Sequence, residues 1–141
     1  MFIKICGITH PSAIVAAVEC AVDAIGFVFA PSPREVTPDQ AARLSAEAPP
    51  GLLRIAVTRR PSQALVDEIL DKVRPDCLQT DIEDLQALQL PPHVSILPVV
   101  RSGASHDRPF AHPAIAPRIL FEGPVSGSGA TSDWKQAAVL A

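Results

Sequence analysis

Apolar and polar positions along the chain switch between two periods. Short apolar runs at Phe2–Cys6, Ala24–Phe29, Leu53–Val57, Asp76–Gln79, Val94–Val100 and Arg118–Phe121 each predict a strand. Between them lie segments with helical spacing. Thr37-Pro38-Asp39-Gln40 places a threonine at the cap, a proline at the first helical position and a glutamine three residues after the cap. Ala41, Leu44, Ser45 and Ala48 then recur on one helical face. Ser62–Val73 carries Leu65, Ile69 and Val73 as an apolar stripe, and Pro11–Ala21 and Asp81–Leu88 also read as helices. Asp133–Ala141 is expected to form a last helix, capped by Thr131 or Ser132. His106–Pro117 is too rich in proline to continue one. Strands that alternate with helices predict repeated βα units and a parallel sheet, here in one domain spanning residues 1–141.

The first strand carries the chemistry that stands out. Side chains alternate across a strand, so Phe2, Lys4 and Cys6 share one face and Ile3 and Ile5 the other. The isoleucine face is expected to be the one that packs. Gly7 permits a sharp exit and leaves the Cys6 thiol at the carboxyl end of the strand, where parallel sheets build active sites. A free thiol titrates near pH ~8.5, and Lys4, two residues earlier on the same face, is expected to supply charge to it. Cys20 and Cys77 sit in apolar runs and read as small buried hydrophobes.

Two more residues hold equivalent places. Arg34 follows the second strand in the proline-stiffened loop Ala30-Pro-Ser-Pro-Arg34 and can hold a carboxylate or phosphate with a bidentate fork, or simply be solvated. Glu122 ends the sixth predicted strand, a position that suits general acid chemistry as well as an ordinary turn. The run Gly123-Pro-Val-Ser-Gly-Ser-Gly129 lacks the Gly-Lys-Ser/Thr of a P-loop. Arg59 and Arg60 read as a solvated pair after the third strand.

Composition narrows the classes. A net charge of −3 leaves no basic excess for phosphate backbones, so a nucleic-acid partner is not expected. No apolar stretch is long enough for a membrane span, and without an apolar h-region among the first residues no secretory signal is expected. Three cysteines without disulfide or metal spacing fit a reducing cytoplasm, and four scattered histidines (His10, His93, His106, His112) form no metal-ligand pattern. The 15 prolines fall mostly between apolar runs, where they punctuate loops.

Four segments together resemble the phosphoribosylanthranilate isomerases of tryptophan biosynthesis. They are Lys4-Ile-Cys-Gly-Ile-Thr9, Asp23-Ala-Ile-Gly-Phe-Val-Phe29 with Ser32-Pro-Arg34, the strand around Gln79, and Gly127-Ser-Gly-Ala-Thr-Ser-Asp-Trp134. The resemblance implies a TIM (βα)8-barrel type of fold and an Amadori rearrangement of N-(5′-phosphoribosyl)anthranilate, a small-molecule phosphosugar substrate, with no cofactor and no metal. It implies that Cys6 is the general base and Glu122 the general acid. It places Arg34 on the anthranilate carboxylate, and Gln79, Gly127 and Gly129 among the substrate-binding residues. The chain departs from the family in three ways. Glu122 stands where an aspartate is usual, in a shortened stretch before Gly127. Thr80-Asp81 follow Gln79 where the family has His-Gly. Only about six βα units are expected, so the chain reads as a C-terminally incomplete barrel. The alternative is a non-catalytic truncated remnant of such a barrel. The oligomeric state is left open.

Overall fold

The structure is a computed structural model and describes residues 1–103, 118–125 and 131–140. Six strands run parallel in chain order: β1 (Lys4–Cys6), β2 (Ala24–Val28), β3 (Leu53–Val57), β4 (Cys77–Asp81), β5 (Ser95–Arg101) and β6 (Leu120–Glu122). The helices are α1 (Pro11–Glu19), α2 (Pro38–Ala46), α3 (Gln63–Lys72) and α4 (Trp134–Leu140). This is the repeated βα architecture of a partial TIM-type barrel.

The helices begin where local chemistry dictates. Thr37 closes a reciprocal capping box with Gln40: its Oγ1 accepts from the Gln40 N–H at 3.2 Å, and Gln40 Oε1 accepts from the Thr37 N–H at 2.8 Å. Such a cap is worth about 1 kcal/mol. Ser62 caps α3 by accepting from the Leu65 N–H. The last helix departs from expectation. Asp133, not Thr131 or Ser132, caps α4, its Oδ1 accepting from the N–H groups of Lys135 and Gln136. A carboxylate satisfies two donors there and also suits the positive end of the helix.

Register fixes which side chains share a face. Cys6 pairs with Gly26, Gly26 with Ile55, and Ile55 with Cys77. Val57 pairs with Gln79, and Arg101 with Glu122. These positions form the inner face. The opposite face, with Ile25, Phe27, Ala56 and Leu78, meets Ile14 and Ala17 of α1, Ala41 and Leu44 of α2, and Val66 and Ile69 of α3 in one apolar core. Burying one such large side chain contributes about 1.5–3 kcal/mol.

The sheet is strongly curved. Lys4 on β1 donates to Gln79 Oε1 on β4 at 2.8 Å, although two strands lie between them. At the usual spacing, a flat sheet would hold β1 and β4 about 14 Å apart, too far for these side chains to meet. The inner face is therefore concave.

Three other expectations change. Ile3 and Ile5 are not buried: they are 38% and 45% exposed, and β1 is an edge of the described sheet. Asp81–Leu88 is not an α-helix. β4 continues through Thr80 to Asp81, and Ile82–Gln86 form a short 3-10 turn. Its tighter winding lets Asp84 reach back, where Oδ2 accepts from Thr80 Oγ1 and from the Arg60 N–H, both at 2.8 Å. Cys20 is not buried but exposed, at the carboxyl end of α1.

Candidate active site at the carboxyl ends of the strands

Cys6 is the last residue of β1 and is half-buried. Immediately after it the chain turns hard. The N–H groups of Gly7 and Ile8 both donate to the Gly26 carbonyl, at 2.8 and 3.0 Å, and Gly7 has a φ of +88°. Glycine takes that conformation without steric cost. The Cys6 thiol lies across Gly26, where an added Cβ would stand 3.2 Å from Sγ. Gly26 thus makes the room that the thiol occupies on the concave face.

Arg34 comes to the same place from the loop after β2. Its backbone is held by its N–H to Ser32 Oγ at 3.1 Å, and by the Val36 N–H to the Val28 carbonyl at 2.9 Å. The side chain folds back over Gly7, and NH1 donates to the Cys6 carbonyl at 2.8 Å. Its other N–H groups have no partner among the described residues. The guanidinium is thus oriented from one end and can present a fork to an anion.

Lys4, on the same strand face as Cys6, finds its hydrogen-bond partner on β4. Its ammonium is engaged by Gln79, and its field reaches Cys77 on the neighbouring part of the inner face. There burial pushes the Cys77 thiol up to about 11, against the opposing pull of Lys4. That makes Cys77 a poor nucleophile or base. Gln79 is 4% exposed, and its carbonyl accepts from the Thr58 N–H at 2.9 Å and from Thr58 Oγ1 at 3.3 Å.

The far side of the concave face holds a chain of charges. Asp81, Arg101 and Glu122 are the terminal residues of β4, β5 and β6. Arg101 grips Asp81 with NH2 to Oδ1 at 2.6 Å and Nε to Oδ2 at 3.2 Å. Its NH1 stands 3.5 Å from Glu122 Oε2. Arg59 adds a looser contact of 3.8 Å to Asp81 Oδ2. The Asp81 hydrogen bonds raise the Arg101 pKa above its ordinary value, against the cost of burial. Among the described residues no three His, Cys, Asp or Glu side chains converge as metal ligands, and no helix is long and apolar enough to cross a membrane.

A family model described as N-(5′-phosphoribosyl)anthranilate (PRA) isomerase matches residues 3–139. The chain belongs to the phosphoribosylanthranilate isomerase family. An N-(5′-phosphoribosyl)anthranilate isomerase of Streptococcus pneumoniae is 37% identical over 135 residues, covering 95% of this chain. The chain spans 66% of that relative's length. Among solved structures, the Thermus thermophilus phosphoribosyl anthranilate isomerase superposes with a TM-score of 0.78 at 25% identity, over 99% of this chain and 71% of that one. The Thermotoga maritima enzyme superposes with a TM-score of 0.75 at 28% identity, over 95% and 68%. A further isomerase structure, in complex with reduced 1-(o-carboxyphenylamino)-1-deoxyribulose 5-phosphate, matches with a TM-score of 0.65 at 29% identity, over 73% and 55%.

Of the residues that the isomerase resemblance singles out, Cys6 and Arg34 are brought into direct contact, and Gln79 and Glu122 lie on the same concave face. Gly127 and Gly129 lie outside the described residues, as do His106 and His112. The contacts of Arg101 with Asp81 and Glu122, and of Lys4 with Gln79, do not follow from the sequence pattern. One signal was available: a charged residue closing an apolar run, the feature that drew attention to Glu122, also marks Asp81 and Arg101.

Proposed function

We propose that this chain acts as a phosphoribosylanthranilate isomerase, with residues 1–141 belonging to one partial TIM-barrel domain. In this reading Glu122 gives its proton to the furanose ring oxygen of N-(5′-phosphoribosyl)anthranilate. The C1′–O bond breaks, and the anthranilate nitrogen lone pair forms a C1′=N iminium. The positive nitrogen acidifies C2′, and Cys6 as thiolate removes that proton. The electron pair moves into a C1′=C2′ double bond, leaving an enolamine that tautomerises to the aminoketose. No redox change occurs, and no cofactor or metal enters the scheme.

Arg34 takes the anthranilate carboxylate through its unengaged N–H groups, while Gln79, Gly127 and Gly129 contact the rest of the substrate. Acid and base approach one sugar from β6 and β1, on opposite sides of the concave face. The observation that carries this reading is the contact between Arg34 and the Cys6 carbonyl, which sets an anion-binding fork beside the thiol. The aminoketose phosphate class of ligand is that of the relative solved with the reduced carboxyphenylamino deoxyribulose phosphate.

The test is complementation of a tryptophan-requiring bacterium that lacks the isomerase, together with loss of N-(5′-phosphoribosyl)anthranilate fluorescence on purified protein. The chain is supplied alone and, in parallel, joined to the last two βα units of a relative. Activity in either form that disappears with Cys6→Ser supports the reading. Absence of activity in both, with folded protein present, overturns it in favour of a non-catalytic remnant.

A further inference from the structure

Arg101 stands at the carboxyl end of β5 with its side chain only 16% exposed. Two of its nitrogens form a fork on Asp81, at 2.6 and 3.2 Å, and Asp81 is itself buried. A bidentate arginine–carboxylate pair has little rotational freedom. The fork therefore fixes the plane of the guanidinium and directs its third nitrogen. That nitrogen, NH1, lies 3.5 Å from Glu122 Oε2, longer than the about 2.7–2.9 Å of a full charge-assisted hydrogen bond. The backbones are locked in register, with Arg101 opposite Glu122 and the Ser102 N–H donating to the Glu122 carbonyl at 2.8 Å.

We infer that Arg101, held by Asp81, is a positioning residue for the Glu122 carboxyl. It aims that side chain over the concave face and receives its negative charge as the proton leaves. A neutral carboxylic acid gains little from a guanidinium at 3.5 Å, whereas the carboxylate formed by proton donation gains an ion pair. The stabilisation therefore grows along the proton-transfer step and acts on turnover more than on substrate binding. The kinetic part of the inference rests on the isomerase reading; the geometric part does not.

The test uses Arg101→Met, Arg101→Lys, Asp81→Asn and the Arg101→Met/Asp81→Asn double variant in the full chain. Three quantities are read: kcat and KM, the thermal midpoint, and the carboxyl 13C shift of Glu122, assigned by its loss in Glu122→Gln. Arg101→Met is expected to lower kcat about 10²-fold, the scale of a misplaced catalytic group, with KM little changed, and to move the Glu122 resonance. Arg101→Lys should restore part of both. Asp81→Asn should move both in the same direction, and the double variant should be no worse than Arg101→Met, because the two residues act through one contact. An unmoved Glu122 resonance in Arg101→Met overturns the inference. So does a lower thermal midpoint with kcat per folded molecule unchanged, which would leave Arg101 a purely structural tie. A parent inactive both alone and joined to the last two βα units of a relative, whose Glu122 resonance still follows Arg101, rejects the proposed function and upholds the positioning contact.

Discussion

Arg34 lies across Gly7 so closely that a Cβ at position 7 would stand 2.6 Å from Arg34 Cδ. Gly7 is therefore constrained twice, once by its φ of +88° and once by the side chain above it. The sequence signature Cys6-Gly7 and the distant Arg34 are two parts of one arrangement, joined by the hydrogen bond from Arg34 to the Cys6 carbonyl.

Gly7→Ala should cost about 1–2 kcal/mol of stability through the left-handed backbone and displace the Arg34 side chain. Binding of the reduced carboxyphenylamino deoxyribulose phosphate, followed by calorimetry, should weaken about tenfold, the loss expected for an anion that keeps its site but loses a bidentate partner. Arg34→Ala should weaken it comparably, and the double variant should be no worse than the worse single, since both act on one contact. Additive losses would separate Gly7 from Arg34.

The two half-buried cysteines should behave oppositely. Cys6→Ser replaces the proposed base and should lower kcat by about 10²–10⁴-fold with ligand affinity preserved. Cys77→Ser should leave kcat near the parent value, because burial holds the Cys77 thiol protonated, at about 11. Steady-state kinetics of the two variants decide this, and a large loss in Cys77→Ser would move the proposed base to β4.

Glu122→Gln keeps nearly the same shape and removes the transferable proton, so it should abolish ring opening while retaining the ligand. Glu122→Asp should be slower than the parent, since its shorter side chain draws back from Arg101, already 3.5 Å away. An aspartate variant faster than the parent would show that the glutamate is not matched to its surroundings.

Acid should loosen the join between β3 and β4. Burial raises the Asp76 pKa, but the hydrogen bonds from the Arg54 side chain and backbone outweigh it and hold the group below its ordinary value of 3.8. Since folding lowers this pKa, the stabilisation is present above 3.8 and is lost as the pH falls through the folded value. Asp76 accepts at 2.8 Å from the Arg54 N–H and at 3.0 Å from Arg54 Nε, so Asp76→Asn should cost about 1 kcal/mol at pH 7. Urea unfolding of parent and variant at pH 7 and pH 3 should show the difference shrinking at the lower pH.

Much of this molecule could be read from short stretches of chain. The capping box at Thr37 and Gln40, the apolar faces of α2 and α3, and the order of strands and helices follow from spacing within a few residues, where backbone geometry alone decides the neighbours. Cys6-Gly7 was legible for the same reason, since the exposed end of a strand and the need for a glycine are local facts. Asp133 was passed over as a cap because three adjacent residues, Thr131, Ser132 and Asp133, can all cap a helix, and only the position of the first turn chooses among them.

The sequence by itself thus determined the βα repeat, the strand carrying the thiol and the identity of the candidate acid, base and arginine. Tertiary structure decided their partners. Lys4 meets Gln79 because the sheet curves, and curvature accumulates over several strands without leaving a periodic mark in any one of them. Arg101 reached Asp81 and Glu122 because β5 ends opposite β6 and two residues beyond the end of β4, an offset set by register between segments that the chain separates by about twenty residues. Ile3 and Ile5 were left exposed because their environment depends on what lies beside β1 in space. A side chain's face can be read from its strand, but its neighbour depends on how the strands are assembled.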